Sequence, residues 1–150
     1  MVNAELRRPE LPVPFELATV GDAMSRGVIS CPPETPLRIV ARMMATHGVH
    51  AIFVFEQSDE DDAAHLWAVV SDLDLVAATQ LDLDTLTAGA TAVTPFVTVV
   101  ADSSIAEAGS LMAQYGIAHL AVTERDSRRP IGVISTLDVA RAVAAGHGPR

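Results

Sequence analysis

The chain has 150 residues and a formal charge of −9, with a pI near 4.8; no Lys/Arg stripe could supply the counterion release that nucleic-acid affinity needs, so DNA and RNA binding are excluded. Hydrophobic residues make up 49% and charged residues 19%, the balance of a folded chain rather than a disordered one. With aromatics at 4% and a single Cys31, the core must come from Ala, Val, Leu, Ile and Met, and no internal disulfide framework is available.

In chain order, Pro9, Pro12 and Pro14 make residues 1–19 an extended N-terminal arm without the apolar core of a signal peptide. No apolar run approaches the roughly 18 residues of a membrane span, so the expectation is a cytoplasmic protein with no membrane partner. A short β-rich run at 28–31 precedes a Pro-containing turn and a helix whose apolar face is Leu37, Val40, Ala41 and Met44. Gly48 ends that helix as a left-handed residue would. Two strands follow, "AIFVF" and "LWAVV", joined by the polar loop "QSDEDDAAH", and a last helix spans 73–80. Residues 82–92 form a connector with a short helix.

The same order then recurs. A strand at 96–100 leads to a helix capped by Ser103 or Ser104 with Ile105, Ala108 and Met112 on its apolar face, stopped by Gly116. Strands "HLAVT" and "IGVIS" and a helix at 137–145 complete the second copy. Gly48 pairs with Gly116, Met44 with Met112, Val54 with Val122 and Glu56 with Glu124, while "AVVSDLD" (68–74) matches "GVISTLD" (132–138). The extra residues of the first copy fall in the polar loop at 57–65. The fold class is therefore α+β, with two β-α-β-β-α repeats at 20–81 and 93–150. A repeat of about 60 residues is marginal for an independent core, so the two are expected to pack sheet to sheet.

These residues resemble the cystathionine-β-synthase (CBS) domain, which occurs as a tandem pair called a Bateman module. The resemblance covers about residues 20–146 and rests on "VGDAMSRGVISCPPETPL", on Gly48-Val49-His50 and Gly116-Ile117-Ala118, and on "GVISTLD", similar to the family's G-h-h-S/T-x-x-D signature. It implies pseudo-twofold symmetry between the repeats, two clefts that bind AMP, ADP, ATP or S-adenosylmethionine, no required cofactor, a homodimer, and regulation of an unidentified protein rather than catalysis.

The signature has a direct chemical reading. A carboxylate in the first turn of a helix stays ionised and can accept from the two hydroxyls of a ribose. Ser135, at the helix start, projects to the same end as Asp138, where backbone N–H groups could meet a phosphate. Gly132 would let a ring or sugar approach the strand. The resemblance implies an apolar wall for the Asp138 cleft from Val28, Ile29, Val49 and His50 with Val133, and phosphate contacts from His119 and Arg141. The second cleft, weaker because Ala68 replaces the Gly and Ala77 the Arg, would comprise Ser71, Asp74, Val69, Phe96, Val97, Ile117 and Ala118. Scarce cations favour an AMP-like or neutral adenosyl ligand over ATP, although Arg26, Arg38 and Arg42 could help.

Simpler readings compete. Ser and Asp at a helix start form a cap, and a ligand-free interaction module is the alternative function. His47, His50 and His65 lack metal-ligand spacing, and the acids at 59–62 lack the EF-hand pattern and read as a solvated hairpin tip. No G-x-S-x-G elbow supports hydrolytic catalysis.

Overall fold

The computed structural model describes residues 15–57, 64–92, 97–127 and 129–145. The acids at 59–62 and the first fourteen residues of the arm lie outside them. A 3-10 turn at Phe15–Leu17 leads into α1 (Val20–Ala23) and β1 (Ser25–Arg26). The first repeat follows as β2 (Ser30–Cys31), α2 (Leu37–His47), β3 (Ala51–Gln57), β4 (Ala64–Ser71) and α3 (Asp72–Ala77). After α4 (Ala88–Thr91) the second repeat runs β5 (Thr98–Val100), α5 (Ile105–Tyr115), β6 (His119–Thr123), β7 (Pro130–Ser135) and α6 (Thr136–Ala145). The expected β-α-β-β-α order is present twice, with the first strand of each repeat shorter than its β-rich run suggested.

Each repeat builds its sheet the same way. β2 lies parallel to β3, which pairs antiparallel with β4; β5 lies parallel to β6, which pairs antiparallel with β7. Both hairpins shift register at matching places, between Val54 and Phe55 and between Val122 and Thr123. Helical spacing directs Leu37, Val40 and Met44 of α2 onto Ile52, Val54 and Val70. In the second repeat Ile105, Ala108 and Met112 of α5 pack with Leu120, Val122 and Ile134. Both helices end at a glycine in the left-handed region, Gly48 and Gly116, each with φ 64°.

The packing units cut across the sequence repeats. The segment ending at Gly27 belongs to the second unit, and the connector at 82–92 belongs to the first. Hydrogen bonds show the exchange to be reciprocal. Val20 N–H donates to the Ser103 carbonyl and Gly21 N–H to that of Ala101, both at 2.8 Å. At the matching positions Ala88 N–H donates to the Thr35 carbonyl at 2.7 Å and Gly89 N–H to that of Pro33 at 2.8 Å. The β-bridges Thr19↔Ser104 and Pro36↔Thr87 mirror one another in the same way. Pro36 has no side-chain cap to offer α2. The connector supplies acceptors instead, with Leu37 N–H donating to Leu86 and Arg38 N–H to Leu83. The Arg38 guanidinium closes the same junction on Asp84, through Nε to Oδ1 at 2.6 Å and Nη2 to Oδ2 at 3.2 Å.

Two outcomes follow from these contacts. A Cβ at Gly116 would meet nothing within 4 Å, so Gly116→Ala should cost about 1 kcal/mol from the left-handed backbone alone, read from urea unfolding. Arg38 beside Asp84 holds that carboxyl below its ordinary value, chiefly through the hydrogen bond. A depressed carboxyl pKa stabilises the fold above the unfolded value of about 4, and the contribution is lost as pH falls through the folded pKa. The difference in urea midpoint between wild type and Asp84→Asn should therefore be present at neutral pH and low salt and vanish in strong acid.

Candidate functional site

The Ser/Asp signature lies where a strand passes directly into a helix, β7 into α6 and β4 into α3. In the second unit Ser135 N–H donates to Asp138 Oδ2 at 2.8 Å, the Ser135 hydroxyl donates to the same oxygen at 3.0 Å, and Asp138 N–H donates back to Ser135 Oγ at 3.2 Å. This reciprocal arrangement is a capping box, with Asp in the place usually taken by Glu. The first unit repeats it: Ser71 N–H to Asp74 Oδ2 at 2.9 Å and Asp74 N–H to Ser71 Oγ at 3.1 Å. The residue pattern is thus fully accounted for as local structure in both copies.

What differs between the copies is the surroundings. The cap uses Asp138 Oδ2; Oδ1 lies 3.9 Å from Arg141 Nη1, and the Asp138 side chain is 12% exposed. One turn of α6 separates the two residues, so the guanidinium and the carboxylate share a helical face. Across the sheet, His119 stands opposite Ser135, and Val133 stands opposite Ala121. Strand alternation places Val133 and Ser135 on one face of β7, both half-buried, while Ile134 enters the core. The structure thus brings Ser135, Asp138, His119, Val133 and Arg141 together at one end of the second unit.

The remaining sequence candidates distribute as follows. Val28, Ile29, Val49 and His50 belong to the first unit, where Ile29 and Val49 pack against its core. The exposed His50 Nδ1 lies 2.9 Å from Asp72 Oδ2, and its carbonyl accepts from Asp72 N–H. Sequence reasoning missed Asp72 as this partner, although a signal existed: Ala118 and Thr136 replace both members together in the second copy. For the weaker cleft, Ser71, Asp74 and Val69 lie in the first unit; Val97, Ile117 and Ala118 lie in the second, where Ile117 is buried in the core. Phe96 lies outside the described residues. Arg38 is engaged by Asp84, and Arg26 sits on β1 opposite Gly132.

One expectation is corrected. Gly132 does not leave space for a sugar or ring: a Cβ there would collide with the Ser25 carbonyl oxygen and come within 3.1 Å of Met24 Sδ. The missing side chain is what lets β1 lie against β7. Among the described residues no group of three or more His, Cys, Asp or Glu is placed to hold a metal ion.

A duplicated β-α-β-β-α unit with a capped Ser/Asp strand-to-helix junction defines a tandem α+β module. The family model for the CBS domain matches residues 20–80 and 90–145, and the chain belongs to that family as a tandem pair. Solved structures similar to it include CBS domain proteins. The CBS domain pair of protein MJ0100, in complex with 5′-methylthioadenosine and S-adenosyl-L-methionine, has a TM-score of 0.73 at 17% identity, covering 85% of this chain and 97% of that one. A CBS domain protein from Pyrobaculum aerophilum complexed with AMP has a TM-score of 0.69 at 24% identity, covering 84% and 98%. Hypoxic Response Protein I, with two coordinated zinc ions, has a TM-score of 0.62 at 28% identity, covering 83% and 98%. No curated protein sequence matches.

Since both serines cap, Ser71→Ala and Ser135→Ala should each lower stability by about 1 kcal/mol in urea unfolding. Gly132→Ala should cost about 1–3 kcal/mol, the usual range for overpacking, because the atom it meets is backbone.

Proposed function

We propose that the chain is a regulatory binding module, without catalytic activity, whose Ser135/Asp138 site takes an AMP-like adenosine ligand. The observation that carries this reading is the division of labour within Asp138. One carboxylate oxygen holds the helix start, while the other faces Arg141 in a largely enclosed position. In this reading Oδ1 accepts from a ribose hydroxyl, and Arg141, 45% exposed, swings toward a phosphate. First-turn N–H groups of α6 and His119 at the head of β6 complete a setting suited to one phosphate rather than three. That solved CBS pairs hold AMP and S-adenosylmethionine supports the adenosine class. The first-unit signature, with Ala77 in the position of Arg141 and Asp72 adding an acid, is the poorer anion site.

In this reading the ligand acts on a partner protein by favouring one arrangement of the module over another, which requires different affinities for the two. We propose a homodimer as the regulatory assembly. Among the described residues no helix is long and apolar enough to cross a membrane.

The test is a thermal shift of ligand-stripped protein with AMP, ADP, ATP, S-adenosylmethionine and NAD. AMP at about 100 times its Kd should stabilise by about 2.7 kcal/mol, and Asp138→Ala should weaken AMP binding at least about tenfold while Asp74→Ala leaves it near wild type. Absence of stabilisation by every adenosyl compound at millimolar concentration would instead favour the ligand-free interaction module, in which both signatures are caps and nothing more.

A further inference from the structure

The segment at 15–27 reaches the proposed ligand site through β7. Ser25 pairs with Val133 and Arg26 with Gly132, and Gly27 N–H donates to the Ile131 carbonyl at 2.8 Å. Val133 is thus held from one side by β1 while it shares a face with Ser135, one residue before α6. The segment is anchored upstream by Ala18, Val20, Ala23 and Met24, all buried in the second-unit core. Its last three residues are less secure. β1 is two residues long and forms the edge of its sheet, and Gly27, at φ 86°, already lies where the chain passes to the first unit.

We propose that β1 is a strap whose docking on β7 is coupled to occupancy of the Ser135/Asp138 site, so that ligand binding tightens residues 25–27 and their release weakens binding. This rests on the functional reading above. The physical basis is geometric. With β1 in place, β7 is an inner strand with Gly132 closed against the Ser25 carbonyl; with β1 released, β7 becomes an edge strand and the backbone that presents Val133 and Ser135 loses one of its two restraints. A ligand contacting both residues binds the held strand better, and the coupling is reciprocal. The first unit has Ala68 where the strap requires glycine. That difference makes the strap a property of the second-unit site.

Amide hydrogen exchange tests this on the full chain with and without saturating AMP, binding being measured separately by calorimetry. The Gly27 amide should exchange about fivefold or more slowly with AMP, in the usual range of coupled sites, while the Ala88 amide, which matches Val20 at the first unit's own junction, should change little. A second arm uses Gly27→Ala. A Cβ at this position meets nothing within 4 Å but the positive φ is strained, so the variant should loosen β1 and weaken AMP binding several-fold. AMP that binds without slowing Gly27, or slows Gly27 and Ala88 equally, overturns the strap and leaves the functional reading intact. Unchanged AMP affinity in a Gly27→Ala protein whose β1 amides exchange faster does the same. If calorimetry detects no AMP binding, the functional reading fails and the coupling fails with it.

Discussion

The N–H groups of Val20 and Ala88, donating to the carbonyls of Ser103 and Thr35, are the joints on which the rest of the architecture depends. Each binds a segment preceding one repeat to the strand-to-helix turn of the other. A buried backbone donor left unpaired costs about as much as a lost hydrogen bond with its desolvation, so each visiting segment needs the carbonyl that its turn presents. Ala88 and Val20 are both fully buried, and they add apolar contact to the polar link. The two repeats of the sequence are therefore not the two objects that fold. Each packing unit is one repeat completed by a segment from beside the other.

In the proposed function the Ser/Asp junction serves two ends, holding the start of a helix and presenting a carboxylate to a ligand. A capping box fixes the serine and aspartate side chains in one rotameric arrangement, so a ligand meeting Asp138 would find it already ordered and would pay little conformational entropy there. The same economy is available at Asp74, yet its neighbourhood differs. His50 pairs with Asp72 in the first unit, whereas the second unit places Arg141 beside the carboxylate and His119 across from the serine. Duplication supplied the rigid junction twice, and divergence of a few side chains changed its charge.

Much of this was legible in the residues because it is encoded locally. Apolar spacing at Leu37, Val40 and Met44, glycines at 48 and 116, and the serines at 103 and 104 ahead of α5 each carry their own signal within one turn of chain; the helix and its glycine stops appear where the pattern places them, and of the two serines Ser104 is the cap. The exchange was not legible. Nothing in "VGDA" or "AGAT" states which distant carbonyl will receive its N–H groups, because a short helix of small residues fits either turn. Gly132 was misread for a related reason. A glycine reports only that something approaches closely, and whether that something is a ligand or Ser25 depends on a strand of two polar residues with no periodicity of its own. The Asp138 end was legible as a cluster in sequence, but the long-range placement of His119 opposite Ser135 needed the strand register.

The exchange also has a temporal meaning for a chain made from its N-terminus. The first unit can close once α4 has emerged, since Ala88 follows Thr35 and the remainder of its turn. The second unit cannot: Val20 and Gly27 are synthesised early, while their acceptors on Ser103 and Ile131 come late. Contacts between such distant positions form slowly because a long loop must close before they contribute. The segment with Ala18, Val20 and Met24 therefore cannot reach its native contacts until the second unit has been made, long after the first unit's own partners are all present.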